Sequence, residues 1–475
     1  MHVIMNRVSK EHILPELKRT SCSIGAARLA VIGAGASDMA AAHAARQTAR
    51  LLGIPDDALQ ITVLERNTKP GAKIMISGGG KCNVTHAGEV KSLLQKGFVR
   101  KNEERFLRFA FHRFSNADLM SLLDRYGVKT DARHDGRVFP VSGRAVDVLD
   151  AFRRMMLDGS VAVMTGRRVT GLGYADGLFR LETRDDVLEA ASVIVATGGV
   201  SWSVAGTTGD GLLFAGKLGH TVVPVFPALA PIMFDVSAVT GLAGVSLRDV
   251  SITARLGGET ASRRGDMLFT HRGISGPACL SLSRTVAELL DRVGSSVSIT
   301  ADLFPDLDEQ MISEILVGYA GRYGSQLVRT FVRNRPMSRN SPVRDAGAPQ
   351  ESCRVPNAFL PAVMKQAGIA FDLPLSGLTR NRRFSLVSAL KKMPLGMAAH
   401  VPLEQAEVSA GGVSLHDVVP SSMESRLHPN LFFCGEVLDY AGEVGGFNLQ
   451  AAFSTGWVAG TQAVSRIAAG ILRHA

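Results

Sequence analysis

The segment LAVIGAGASDMAAAHAAR, residues 29–46, constrains the fold of this 475-residue chain more than any other stretch. A short β-branched strand runs into Gly33 and Gly35, and an alanine-rich helix follows. In a dinucleotide-binding turn the first glycine permits a tight bend and the second lets the backbone approach a pyrophosphate. The helix N-terminus, here Ala36 and Ser37, attracts the anion. The segment therefore predicts the first strand, turn and helix of a Rossmann-type unit.

Asp38 stands where the pattern G-x-G-x-x-G has its third glycine. Two like charges about 7 Å apart at an effective dielectric near 20 repel by roughly 2 kcal/mol, so a carboxylate here opposes a bound pyrophosphate. Its Cβ also disturbs close helix–strand packing. We expect weakened rather than abolished cofactor binding. The alternative is a side chain that points to solvent or to a basic neighbour.

The second strand, ITVLER, ends in Glu65 and Arg66, and Glu65 lies 32 residues after Gly33. The usual spacing to the ribose-binding acid is about 20 residues, and the surplus lies in the surface insertion LLGIPDDALQ. A glutamate in this position accepts hydrogen bonds from ribose hydroxyls and disfavours a 2′-phosphate. We therefore predict Glu65 as a ligand of an adenosine ribose.

Four further glycine turns, in VATGG, TTGDG, CGEVLD and GGFNLQ, follow strands or precede helices. The last one places free N–H groups where negative charge develops on a reduced flavin, an edge that NAD does not have. Together the turns predict FAD. The residues of these turns predicted to bind it are Thr197, Gly198, Gly199, Gly209, Asp210, Gly435, Glu436, Gly445, Gly446, Phe447, Asn448 and Leu449.

Net charge and cysteine content indicate which partners and which cellular compartment to expect. The net charge is +10 with a pI of about 9.6, yet no nucleic-acid module is present, so we read the charge as diffuse and expect no nucleic-acid partner. Five scattered cysteines without C-x-x-C argue against disulfides and against a metal site, and favour the cytoplasm. We expect no signal peptide and no membrane helix.

The fold class predicted is α/β, with a Rossmann-type FAD domain of the glutathione-reductase-like kind that is split by insertions. We place an N-terminal extension at residues 1–25 and the FAD domain at 26–218 and 404–475. Short strands and turns predict an inserted antiparallel β domain at 219–303 and 379–403, and the family resemblance described next implies that this domain is barrel-like. Helical periodicity predicts an inserted helical domain at 304–378.

The motifs GAKIMISGGGKCNVTH, VIVATGGVSW, GDMLFTHRGISGPACL, AEVSAGGVSLHDV and LFFCGEVLDYAGEVGGFNLQ make the chain resemble the BaiN-like flavoproteins, also described as aminoacetone oxidase-like. The resemblance spans residues 29–460 and implies non-covalent FAD, with the loop SGGGKCN beside the isoalloxazine. The additional cofactor ligands on this basis are Lys73, Ser77, Gly78, Gly79, Gly80, Lys81, Cys82 and Asn83. Cys82, His86 and His271 are weak catalytic candidates, since a lone cysteine or histidine is more often structural.

The function favoured is hydride transfer through flavin N5 from NAD(P)H to the activated C=C bond of a small molecule. No second dinucleotide fingerprint is present, so a nicotinamide must enter the same cleft as the substrate. The family also leaves open a flavin oxidase of a small amine that uses O₂. Two further alternatives remain. Asp38 suggests a degenerate flavoprotein that binds its cofactor poorly, and the positive net charge suggests a flavoprotein that acts on RNA. Monomer and homodimer both remain open.

Overall fold

The computed structural model describes residues 27–237, 241–294, 296–334 and 355–474. The predicted N-terminal extension, residues 1–25, lies outside them. The strands are β1 (Ala27–Ile32), β2 (Leu59–Glu65), β3 (Thr85–His86), β4 (Thr130–Ala132), β5 (Arg137–Pro140), β6 (Ala162–Thr165), β7 (Val169–Ala175), β8 (Leu178–Thr183), β9 (Val187–Ala190), β10 (Ser192–Val195), β11 (Val222–Ala228), β12 (Ile232–Ser237), β13 (Ser246–Leu256), β14 (Glu259–Phe269), β15 (Gly273–Ser275), β16 (Val297–Asp302), β17 (Met393–His400), β18 (Val408–Val413) and β19 (Leu431–Phe433). The helices are α1 (Ala36–Leu51), α2 (Ala72–Gly80), α3 (Val90–Gly97), α4 (Lys101–Arg113), α5 (Asn116–Arg125), α6 (Ala145–Asp158), α7 (Asp210–Lys217), α8 (Pro277–Val293), α9 (Glu309–Arg322), α10 (Val328–Asn334), α11 (Leu360–Gln366), α12 (Arg380–Lys391) and α13 (Phe447–His474).

The central element is a five-stranded parallel sheet in the order β19-β10-β1-β2-β6. Helices cover it, so β10 is buried along its whole length and carries only apolar side chains after its first residue. Strand β19 comes from the last 50 residues yet pairs with β10 from the first half. The predicted split Rossmann-type fold is therefore confirmed.

A closed antiparallel barrel, β12-β15-β14-β13-β16-β17, forms the second core together with helix α8. The sequence reading of residues 221–301 as strands and turns missed this helix. It begins at Pro277 after Gly276, whose φ is +94°, and its buried face includes Leu282, Val286 and Leu289. The apolar spacing of three and four residues was the available signal.

Helices α9 to α12 lie between β16 and β17 in the chain and share the barrel's core. The segment 379–403 is predicted to return to the β domain, and its first part is a helix through Lys391. Thr379 caps α12 by accepting a hydrogen bond from the backbone N–H of Arg382 at 3.4 Å, and β17 starts only at Met393. Leu386 and Leu390 are buried on one side of α12, which is helical rather than alternating spacing.

Helices α1 and α13 pack against each other in parallel. A Cβ at Gly456 would come closer than 3.0 Å to the carbonyl oxygen of Ser37, and one at Gly460 would do the same at Ala41. The N-termini of both helices therefore point in the same direction. From Gly456, which lies beside Ser37, α13 continues nine residues, or about 13 Å, toward its own N-terminus at Phe447. No helix in the described part of the chain has the length and apolarity that crossing a membrane requires.

Candidate functional site

One cleft of about 550 Å³ collects most of the predicted residues. It lies at the carboxyl ends of β1, β2 and β10, where ligands of open α/β sheets bind. The predicted residues that line it are Gly33, Gly35, Ala36, Ser37, Glu65, Arg66, Lys73, Ser77, Gly78, Gly79, Lys81, Asn83, Thr197, Gly198, Asp210, Glu436, Gly445, Gly446, Asn448 and Leu449. Segments far apart in sequence thus meet at a single site.

The other predicted residues do not line the cleft. Gly80 is exposed at the end of α2, and the buried ones are Cys82, Gly199, Gly209, Gly435 and Phe447. Several of them serve the close packing that shapes the wall. A Cβ at Gly435 would press on the Ser37 side chain, and one at Gly199 would press on the Ser409 hydroxyl. Their role in the structure is to let neighbouring segments approach, not to line the cleft.

The first turn of the site is held by Glu65. Its Oε2 accepts the N–H of Ala34 at 2.9 Å, and its Oε1 accepts the N–H of Asn67 at 2.7 Å. Gly33, with φ at +115°, donates its N–H to the carbonyl of Leu64 at 2.8 Å. Burial raises the pKa of Glu65, and the backbone N–H groups oppose that rise. Glu65 therefore fixes the turn and also lines the cleft.

Asp38 is 1% exposed, which rules out the solvent-facing alternative. Its Oδ2 accepts the Gly35 N–H at 2.8 Å and contacts the Ser37 hydroxyl at 3.4 Å. Its Oδ1 is buried and has no hydrogen-bond partner. No basic side chain is bonded to it among the described residues, so the second alternative fails as well. Asp38 caps its own helix from within the cleft wall.

The far end of the cleft is formed by the start of α13. Gly445 and Gly446 have φ of +141° and +91°, and a Cβ at Gly446 would meet the backbone of Thr85. Asn448 exchanges two hydrogen bonds with Gly442, at 2.7 and 2.9 Å. The first N–H groups of a helix have no acceptor within it, so this end carries free donors and positive potential.

Between the two helix ends, Glu436 ties three segments together. It accepts hydrogen bonds from Lys73 Nζ at 2.6 Å, from the Ser201 hydroxyl at 3.0 Å and from the Ser409 N–H at 2.8 Å. Glu407 lines the cleft nearby, and burial raises its pKa while Lys73 opposes the rise. These hydrogen bonds fix the three segments relative to one another, and their polar groups are available to a ligand in the cleft.

The three catalytic candidates all lie outside the cleft lining. Cys82 is fully buried, and that burial raises the pKa of its thiol to about 11, so it is not a thiolate near neutral pH. His86 stacks on Phe447 at 4.7 Å and bonds the Gly445 carbonyl through Nδ1 at 3.2 Å. His271 lies on an exposed turn. The structure gives His86 a packing role beneath the α13 turn.

Sequence reasoning missed a cationic and aromatic corner of the cleft. The Arg133 guanidinium lies 3.9 Å from the centroid of the Phe139 ring, and Phe139 in turn faces Gly78. Lys81 lines the same cleft. Neither Lys81 nor Arg133 has a carboxylate partner among the described residues, whereas Arg137 pairs with Asp135 at 2.6 Å. Phe139 belongs to the motif GRVFP and Arg133 lies three residues before that motif, but only folding brings the two residues to the site.

Leu229, Pro277 and Leu280 bring apolar surface from the barrel side to this cleft. Pro277 and Leu280 belong to GDMLFTHRGISGPACL, one of the motifs that carry the family resemblance. Leu229 has φ of +54°, a conformation that non-glycine residues seldom adopt. The cleft thus joins a polar dinucleotide half to an apolar half.

The residues present fit a dinucleotide whose second half is a flavin. Positive φ at Gly33 and Gly198 lets backbone line the cleft where a Cβ would collide with its neighbours. Two helix N-termini open into the same cavity, and acidic and basic groups alternate between them. Among the described residues, no cluster of three His, Cys, Asp or Glu side chains is arranged to hold a metal ion.

Comparison with known proteins agrees with this geometry. Residues 27–462 match the family model described as HI0933-like protein Rossmann domain. The chain belongs to this family. The match covers most of the chain and confirms the resemblance inferred from the sequence motifs. It also confirms FAD as the cofactor and places the protein among FAD-dependent oxidoreductases.

Three curated relatives span almost the whole chain. The 3-dehydro-bile acid delta(4,6)-reductase of Clostridium scindens is 28% identical over 440 residues, which is 92% of this chain and 99% of the relative. The ribosomal RNA dihydrouridine synthase of Escherichia coli is 27% identical and covers 90% and 95%. The synthase of the same name from Haemophilus influenzae is 28% identical and covers 90% and 96%.

Proposed function

We propose that this protein is an FAD-dependent reductase that transfers reducing equivalents from NAD(P)H to a C=C bond conjugated to a carbonyl group in a small molecule. The observation that carries the proposal is the single cleft that joins the pyrophosphate-type turn of α1 to the N-terminus of α13. The names of the relatives support the direction of the reaction, since both a delta(4,6)-reductase and a dihydrouridine synthase saturate a C=C bond.

FAD, when bound, supplies the redox centre that accepts and releases the hydride. The residues that would hold it are the cleft-lining ones: the turn of α1 for the pyrophosphate, Glu65 for the ribose and Lys73 with Glu436 for the polar chain between the two halves. The free N–H groups at the start of α13 stabilise negative charge that develops at the far end. This positive end favours reduction of the bound cofactor.

We assign the coenzyme and the substrate to the corner beyond the glycine loop. Lys81 and Arg133 are cations without carboxylate partners among the described residues, and an anionic coenzyme supplies such partners. Leu229, Pro277 and Leu280 exclude water from the facing side and suit an apolar substrate. Since Cys82 and His271 lie outside the cleft, neither is needed for the transfer in this proposal.

The test is turnover under nitrogen with NADH or NADPH and a panel of conjugated enones, followed by detection of the saturated product. The proposal predicts coenzyme oxidation that depends on the enone. The rival function, oxidation of a small amine by O₂, predicts instead that an amine alone consumes O₂ and releases hydrogen peroxide. Amine-dependent peroxide without any enone reduction contradicts the proposal.

RNA is a second candidate substrate, because two relatives are ribosomal RNA dihydrouridine synthases and the helical insertion carries a basic, aromatic surface. Phe371 and Phe384 are 44% and 51% exposed. Arg329 lies 4.3 Å from the Phe371 ring, and Arg380 lies 5.6 Å from the Phe384 ring. Exposed aromatic rings beside arginines stack unpaired bases.

Binding of ribosomal RNA fragments at several salt concentrations separates the two substrates. An RNA substrate predicts affinity that falls steeply with salt, and weaker binding when Phe384→Ala and Arg380→Ala are combined. The small-molecule proposal predicts enone turnover that needs no RNA and that this double substitution leaves unchanged. RNA-dependent oxidation of NAD(P)H, with dihydrouridine as product, selects the RNA candidate.

We also propose a cytoplasmic location. Cys82, Cys279 and Cys434 are buried free thiols in the structure, which suits a reducing compartment. Cell fractionation followed by immunoblotting tests this, and recovery of the protein in an extracytoplasmic fraction contradicts it.

A further inference from the structure

Asp38 places a carboxyl group inside the part of the cleft that faces the dinucleotide turn. The residue is 1% exposed, yet it lines the cleft together with Gly33 and Gly35. Its Oδ2 already has a hydrogen-bond partner, because it accepts the Gly35 N–H at 2.8 Å. Its Oδ1 has no partner and lies against Gly33, where a Cβ would collide with it. A buried carboxyl oxygen without a partner lacks an interaction that a ligand can provide.

The surroundings of Asp38 do not favour a negative charge. Glu65 faces it from the end of β2, and the buried Cys434 thiol faces it from the end of β19. The parallel helix α13 approaches with Gly456 and Gly460, which carry no charge. Burial, together with the charge of Glu65, raises the pKa of Asp38 well above its ordinary range, although backbone N–H groups oppose the rise. A bound pyrophosphate adds negative charge and raises it further.

A protonated carboxyl group behaves differently from a carboxylate toward an anion. It keeps an oxygen that accepts the Gly35 N–H and gains an O–H that donates. Phosphate oxygens are acceptors, and an O–H donated to a charged oxygen is one of the stronger hydrogen bonds in proteins. The unpartnered Oδ1 is the atom available to carry that proton.

We propose that Asp38 binds the pyrophosphate of FAD as a neutral acid, donating a hydrogen bond from Oδ1 while Oδ2 holds the Gly35 N–H. The chain would thus use a side-chain donor where the G-x-G-x-x-G pattern has a glycine. When the free protein carries an ionised Asp38, binding takes up one proton from solution. This inference rests on FAD as the cofactor but not on the direction of the reaction or on the substrate, so it stands or falls separately from the proposed reductase.

The experiment compares FAD dissociation constants of the wild-type apoprotein and Asp38→Asn from about pH 6 to about pH 9.5. Asparagine has nearly the same shape, accepts the Gly35 N–H through its oxygen and cannot ionise. The proposal predicts that the two proteins bind FAD within about threefold of each other at the acid end. Wild-type affinity then falls relative to the variant by up to about tenfold per pH unit as the free carboxyl group ionises.

Calorimetric titration in two buffers of different ionisation enthalpy gives an independent readout on the wild type alone. The proposal predicts that FAD binding takes up a proton wherever Asp38 of the apoprotein is ionised and none where it is neutral, and that Asp38→Asn abolishes the uptake. Thermal unfolding of both apoproteins at each pH shows that folded protein is compared throughout. If the variant does not fold, the proton count on the wild type still decides.

Two results overturn the proposal. If Asp38→Asn binds FAD more than about tenfold more tightly even at the acid end, Asp38 is an ionised carboxylate that repels the cofactor. If no proton is taken up at any pH, and Asp38→Ala, which has neither donor nor acceptor, binds FAD as tightly as the wild type, the carboxyl group does not contact the pyrophosphate. Neither result bears on whether the loaded enzyme reduces enones.

Discussion

Replacing Gly460 by alanine tests whether the close packing of α13 on α1 sets the geometry of the cofactor site. The new Cβ would lie closer than 3.0 Å to the Ala41 carbonyl oxygen, whereas ordinary contact begins near 3.4 Å. The obstructing atom belongs to the backbone of α1, so a side-chain rotation cannot relieve the clash, and the helices must separate. Overpacking of this kind costs about 1–3 kcal/mol.

The same substitution also has a stabilising effect on the protein, because alanine has a higher helix propensity than glycine. Alanine stabilises a helix interior by about 1 kcal/mol relative to glycine. Gly318 in α9 is the matched control, because it is helical and exposed and its Cβ would meet nothing within 4 Å. We therefore expect Gly318→Ala to raise the unfolding midpoint. Gly460→Ala should lower it, with a net loss of up to about 2 kcal/mol.

Thermal unfolding of the apoproteins and FAD titration measure the two consequences separately. Separation of the helices shifts the N-terminus of α13 relative to the turn of α1, so Gly460→Ala should also bind FAD more weakly, while Gly318→Ala should bind it like the wild type. If Gly460→Ala is as stable as Gly318→Ala and binds FAD normally, the two helix ends are not positioned by this contact.

Three more outcomes follow from individual side chains. Lys81→Ala combined with Arg133→Ala should raise the KM for NAD(P)H at least about tenfold through loss of two charge-assisted contacts, in anaerobic steady-state assays of the FAD-saturated enzyme. Cys82→Ser should keep the wild-type kcat, because the buried thiol, with its pKa raised to about 11, takes no part in the transfer. Burial, aided by Arg125 and Arg50, lowers the pKa of His43 to about 4, so the folded state resists protonation that the unfolded state accepts below about pH 6.5. Stability should therefore fall by about 2 kcal/mol between pH 7 and pH 5 in urea unfolding, and His43→Gln should remove that loss.

The dinucleotide half of the site was predictable because its chemistry resides in the backbone. Gly33, Gly198 and Gly446 adopt positive φ in turns at strand or helix ends, and such turns leave a local signature in the sequence. Since the carboxyl ends of parallel strands meet at one edge, the sequence alone could join the signatures into one site. The end of β2 places Glu65 at the same edge despite its unusual spacing, and its role as a ribose ligand stays a prediction.

Side-chain orientation was not predictable, and Asp38 shows why. Asp38 is buried in α1, and α1 packs directly on α13, which lies more than 400 residues away in sequence. The sequence reading placed its charge beside the pyrophosphate but had no means to find its burial. The corner of Arg133 and Phe139 was missed for the same reason, because only the folded sheet of β3, β4 and β5 brings it to the glycine loop.

The errors in the inserted region arose from local patterns with two interpretations. In α8 the segment SGPACLSLS looks like a turn and a short apolar strand, yet Pro277 is well placed at the first position of a helix. The first turn of α12, residues 380–383, contains no apolar side chain and so shows no helical periodicity. The apolar residues that follow it, in FSLVSAL, are also compatible with a strand. Both helices are held by the barrel core rather than by their own sequence preferences.

Anaerobic mixing of the FAD-loaded protein with NADH or NADPH in a stopped-flow spectrometer tests whether the protein is a reductase. We expect that at least one coenzyme bleaches the visible flavin absorbance, and that a conjugated enone added afterwards restores it without O₂. A flavin that neither coenzyme reduces, but that a small amine bleaches, would contradict the reductase and favour the oxidase.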